Sequence, residues 1–126
     1  VEDLLAMPDD GVERWIIDGK LREKPCHPPS RVFVRRRAGA VILANVGAAL
    51  VTWVRRQPHP RGAVYASRAG VILGRNPDTV IGVDVAFATA DVVAVQDDEN
   101  TTLLDGVPTL VVEILSPNDT QAQTHE

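Results

Sequence analysis

Two apolar segments each carry one acidic residue where a strand ordinarily carries none: Asp84 within Val83-Asp84-Val85-Ala86-Phe87, and Glu113 within Leu110-Val111-Val112-Glu113-Ile114-Leu115. Their β-branched and apolar neighbours read as buried strands, where an uncompensated carboxylate carries a desolvation penalty of several kcal/mol. A fold for this chain must either turn these acids to water on an edge strand or bring a cation to them. No Lys or Arg occurs from Asp78 to Glu126, so a local ion-pair partner is lacking. One divalent ion shared by both carboxylates would compensate them together.

Charge is segregated along the chain behind a formal net charge of −4. Residues 1–23 hold seven acids and three bases, residues 24–77 ten bases and no acid, and residues 78–126 ten acids and no base. A basic block beside an acidic one suits a nuclease, whose arginines hold phosphate while carboxylates hold metal. The two blocks can equally neutralise each other across the fold or end as solvated faces. The length of 126 residues fits one domain, residues 1–126, with a modest core. Cys26 is the single cysteine, which excludes an internal disulfide and a cysteine-rich zinc site. Asn100-Thr101-Thr102 and Asn118-Asp119-Thr120 match the glycosylation triplet, but without a preceding secretory segment they read as coincidence. The chain begins at Val1 and stops at Glu126 just where a helix is expected to start, which reads as a fragment.

Residues 2–7 suit a short helical turn closed by Pro8. Val12 to Asp18 predicts a strand, and Asp18-Gly19 is a strong hairpin signal returning through Lys20 to Lys24. Between Arg31 and Gln57 lies the longest stretch without a breaker, read as a helix buried on most sides by a sheet. Its uncharged segment Ala38 to Val54 reaches the lower length limit for a bilayer span. Asn45, Thr52, many Ala and Gly residues and arginines at both ends weigh against that. Ala63–Ser67 and Gly70–Leu73 look like short strands around a turn, and Val83–Ala88 like another strand. Val92–Val95 fits either helix or strand, Asp105-Gly106 suggests a second hairpin turn, and Thr109–Leu115 is a strand. Ser116-Pro117-Asn118-Asp119 resembles a helix start. The order predicts an α/β or α+β domain around a mixed sheet.

Alternation puts Asp84 on one face with the small Ala86 and Ala88, leaving space for an ion or a phosphate, and Glu113 with Val111 and Leu115. If the two strands are neighbours in register, their carboxylates converge, and the backbone carbonyl of Ile114 could complete an oxygen-lined position. Hard oxygen ligands without Cys or His favour Mg2+ or Mn2+ over zinc. Glu13 could approach from the first strand. Arg35, Arg36 and Arg37 could grip a phosphate backbone, or simply form a solvated helix end. His27, His59 and His125 show no ligand spacing, and Trp15, Trp53 and Phe87 are expected in the core.

Asp18-Gly19-Lys20-Leu21, the long helix, Asn76-Pro77-Asp78-Thr79 leading to Gly82-Val83-Asp84-Val85-Ala86-Phe87, and above all Gly106 through Asp119 resemble the Uma family of restriction endonucleases, within the PD-(D/E)xK nuclease superfamily. The resemblance covers nearly the whole chain. It implies a restriction-endonuclease-like mixed β-sheet flanked by helices, divalent-metal-dependent DNA cleavage, and Asp84 and Glu113 as metal-binding acids on adjacent strands. Three positions depart from the pattern. Val83 stands where the superfamily signature carries Pro, and Ala38-Gly39-Ala40 where the family tends to carry a His. Leu115 stands where the signature Lys would be; the family generally supplies that Lys from the following helix.

The leading expectation is thus a metal-dependent DNA endonuclease in the cytoplasm, with Asp84 and Glu113 as catalytic acids and DNA as partner. A homodimer is compatible with it, and no membrane is required. The alternative is a catalytically inactive nuclease-fold protein that binds nucleic acid or a protein partner. A third reading uses residues 38–54 as a membrane anchor.

Overall fold

The computed structural model describes residues 1–7, 12–25, 36–97, 99 and 101–115. A short helix α1 (Glu2–Leu5) precedes a hairpin of β1 (Val12–Ile17) and β2 (Lys20–Pro25), then the long helix α2 (Arg37–Arg55). Two long strands follow, β3 (Ala63–Gly74) and β4 (Thr79–Ala88), then α3 (Ala90–Ala94), β5 (Leu104–Asp105) and β6 (Leu110–Val112). The hairpin forms where Asp18-Gly19 predicts it. Ile17 pairs with Lys20, and the two turn residues take φ of 49° and 77°, the left-handed pair that matches strand twist in a two-residue turn.

The six strands form one mixed sheet in the order β2-β1-β4-β3-β5, with β6 also on β4. All pairings are antiparallel except β3 with β5. β4 is the central strand. β3 runs along one edge, while β1 meets the other edge at Val80 and β6 takes it over from Val85 to Phe87. Its neighbours give β4 the run of buried residues expected of a covered strand: Val80, Val83, Val85, Ala86 and Ala88, with Asp84 among them. Val71 and Ile72 of β3 and Leu104 of β5 complete the core. Gln96 fixes β5 by accepting from the Asp105 amide at 2.9 Å and donating to its carbonyl at 3.0 Å.

Several expectations change, among them the strand Thr109–Leu115, which shortens to β6 with Leu110, Val111 and Leu115 exposed, because it lies at the margin of the sheet and pairs with β4 through three residues. Ala63–Gly74 is one twelve-residue strand, because Ser67 and Arg68 form a bulge that leaves the β3–β4 ladder running on either side. Val92–Val95 resolves into the helix α3 and the residue that ends it. Asp105-Gly106 does not make a hairpin: β5 pairs parallel with β3, whereas β6 crosses to β4. Helix α2 is mostly exposed, with Val54 its one buried residue. It packs on β3 and β4, and near its end Trp53 packs edge-on against Phe87 with ring centroids 5.4 Å apart. Trp53 is still half exposed, and the core consists of aliphatic side chains rather than the expected aromatic ones. By length and composition α2 could cross a membrane. The predicted helix start after Leu115 lies outside the described residues.

Candidate active site

The β4–β6 ladder pairs Val85 with Val112, Ala86 with Val111 and Phe87 with Leu110. One step further along that register sets Glu113 opposite Asp84, and directly opposed residues of antiparallel strands project from the same face. The two acids do meet. Their carboxyl groups lie close enough to interact directly, and the Asp84 backbone also acts on the Glu113 carboxyl. The backbone N–H of Ile114 donates to Asp84 Oδ2 at 2.8 Å, locking one oxygen of a side chain only 9% exposed. Ile114 therefore reaches the pair through its amide, and its carbonyl as a metal ligand belongs to the proposal below.

Electrostatics follow from this crowding. Of the two acids expected to be buried, only Asp84 is; Glu113 is exposed at the surface, yet surrounding protein atoms and then the Asp84 charge push it up to about 7, with a smaller push from Glu13. Two carboxylates held this close resist ionising together, so one retains a proton near neutrality. A cation between them would remove that conflict.

Glu13 lies on β1, the strand that β6 replaces along β4, and its charge is felt at Glu113. It is held by Arg68, whose Nη2 sits 3.0 Å from Glu13 Oε1. Arg68 was not legible as a site residue, since Arg68-Ala69 reads as the turn between the strands Ala63–Ser67 and Gly70–Leu73. Its signal is a lone base inside an otherwise apolar strand. Arg36 and Arg37 stand exposed at the start of α2, and Arg35 lies outside the described residues. His59 is exposed, while His27 and His125 also fall outside.

The residues present suit a hard divalent ion. Two opposed carboxylates and nearby backbone supply oxygen donors, and no cluster of three or more His, Cys, Asp or Glu arranged to hold a metal occurs among the described residues. Mg2+ tolerates so sparse a protein shell, because it retains several waters and is commonly held by one or two carboxylates plus substrate phosphate.

A mixed sheet of six strands flanked by helices defines an α+β fold of the restriction-endonuclease-like class, and its two acids sit on the central strand (Asp84) and one residue past the end of that strand's neighbour β6 (Glu113). The whole chain, residues 1–126, matches the model of the Uma2 family, described as a putative restriction endonuclease, and the protein belongs to that family. Membership points to nuclease function and a DNA substrate, and proteins of this class generally use divalent metals. No curated protein and no solved structure matches the chain.

Proposed function

We propose that the protein is a divalent-metal-dependent DNA endonuclease with Asp84 and Glu113 as its catalytic acids. The observation that carries this reading is the juxtaposition of the two carboxyl groups, Asp84 on β4 and Glu113 one residue past β6, close enough for the Asp84 charge to act on Glu113. Asp84 is the fixed member, oriented by the Ile114 amide. Glu113 is the adjustable member, holding a proton in the free protein and giving it up as a cation binds. The Ile114 carbonyl would add a neutral oxygen. Bound Mg2+ or Mn2+ would lower the pKa of water and stabilise charge on a phosphate oxygen during hydrolysis. Arg36 and Arg37 occupy the positive end of the α2 dipole, where a base does not stabilise the helix; contact with the DNA backbone gives these charges a role.

Incubating plasmid DNA with the protein in Mg2+, Mn2+ or EDTA tests the proposal. Cleavage should require the metal. Asp84→Asn and Glu113→Gln should each remove several kcal/mol of charge stabilisation, lowering the rate by about 10²-fold or more. Metal-dependent cleavage unchanged in both variants would eliminate the site. Ala38-Gly39-Ala40, where the family tends to carry a His, favours a second reading in which the chain binds DNA without cutting it. That reading predicts salt-sensitive binding with no product in either metal.

A further inference from the structure

The β3 bulge sets an arginine opposite Asp84. Ala66 pairs with Val85 and Ala69 with Val83, so Ser67 and Arg68 together stand against the single residue Asp84. Both take left-handed backbone conformations, with φ of 65° and 63°, which non-glycine residues adopt only under strain. Bulges re-aim side chains, and this one sends Arg68 a long way. Its strand lies on the opposite edge of β4 from β1, yet its guanidinium reaches Glu13 on β1. The side chain therefore spans the central strand, starting next to Asp84. Gly82, on the same face two residues earlier, leaves β4 bare there: a Cβ would meet only the Arg68 carbonyl oxygen, at 4.0 Å. Glu13, Arg68 and Gly82 line one open cavity of about 300 Å³. β4 and β6 contain no base, and Arg68 is the only one in β3.

We infer that Arg68 positions the DNA phosphate at the acidic pair: it rests on Glu13 in the free protein and transfers to a non-bridging phosphate oxygen when DNA binds. This inference builds on the nuclease reading. A guanidinium suits the task because its planar fork matches the geometry of phosphate oxygens. The same transfer frees the Glu13 carboxylate to face Glu113. Strain in the bulge then has a use, since a regular strand would point residue 68 straight up from its own position.

Fluorescence anisotropy with a labelled DNA duplex, in Ca2+ to prevent turnover, reads binding apart from cleavage. Arg68→Ala should weaken binding and make the slope of log K against log salt shallower by about 0.9, the loss of one phosphate contact. Arg68→Lys should keep the slope and recover part of the affinity. Glu13→Gln, which removes the competing carboxylate, should tighten binding in metal-free buffer. If Arg68→Ala loses its fold, Arg68→Gln, which can still bond Glu13, should show the same shallower slope. A purely structural clasp gives a different pattern: the Arg68 and Glu13 variants lower Tm alike and leave affinity and slope unchanged, and that result overturns the inference while DNA binding by the parent persists. Failure of the parent itself to bind DNA removes the nuclease reading, and the role of Arg68 with it.

Discussion

Replacing Glu113 by Gln removes a carboxyl group that the fold keeps partly protonated near neutrality. Its pKa is raised from 4.5 to about 7, so between those values the folded chain binds more protons than the unfolded one, and stability falls as pH rises through the interval. Below about pH 4.5 both states are protonated and the penalty vanishes; above about 7 it is fully expressed. Glu113→Gln should therefore raise the metal-free Tm at pH 8 but not at pH 4.5. Solvent screening of this part-exposed side chain reduces the effect to on the order of 1 kcal/mol, or about 4 °C in a thermal melt for a domain of this size. Equal Tm differences at the two pH values would contradict the assignment. Asp84 and Glu113 were legible in the sequence because an acid amid β-branched residues is conspicuous. Arg68 was not, because its placement depends on a register between strands that no local pattern encodes.

At the scale of elements, β6 is the weak member of the site. Its ladder has three pairs, and Leu110 and Val111 are 43% and 40% exposed. Mg2+ held between Asp84 and Glu113 would tie β6 to β4, so hydrogen exchange at Val112 and Ile114 should slow in Mg2+ relative to EDTA. The same exchange rate in both would argue against a shared ion. Two glycines test the packing around this frame. A Cβ at Gly62 would lie 2.2 Å from the Ala88 carbonyl oxygen and 2.7 Å from the Phe87 ring, so Gly62→Ala should destabilise by about 1–3 kcal/mol. Gly47, inside α2, has nothing within 4 Å of a Cβ, and Gly47→Ala should stabilise by about 0.5–1 kcal/mol. Denaturant melts of the two variants should move in opposite directions. The hairpin was legible because Asp18-Gly19 dictates its own geometry. The continuity of β3 was hidden by Ser67-Arg68, and the pairing of β6 by its distance from β4 in sequence. The exposure of α2 was hidden because apolar composition alone does not say which side is covered.

For the molecule as a whole, charge segregation and the exposed helix set its behaviour in solution. On the nuclease reading, the basic middle of the chain would bind DNA in a way that weakens steeply with salt, and the acidic last third would repel the duplex unless a cation intervened. EDTA should therefore weaken binding as well as stop cleavage, and a titration of affinity against Mg2+ at fixed ionic strength checks this. The packing of Trp53 on Phe87 anchors one end of α2 to the sheet, and arginines flank the helix at both ends. The protein should remain in the supernatant after high-speed centrifugation without detergent; recovery in the membrane pellet would instead make α2 a bilayer span.

The paired acids are 29 positions apart in sequence and come together only through the three ladder rungs of β6. On the nuclease reading, a chain still emerging from the ribosome, or one whose β6 has peeled away, presents solitary carboxylates with no hold on a metal. The capacity to damage a genome then rests on those three rungs, and a molecule in which they are unmade is harmless to the cell that made it.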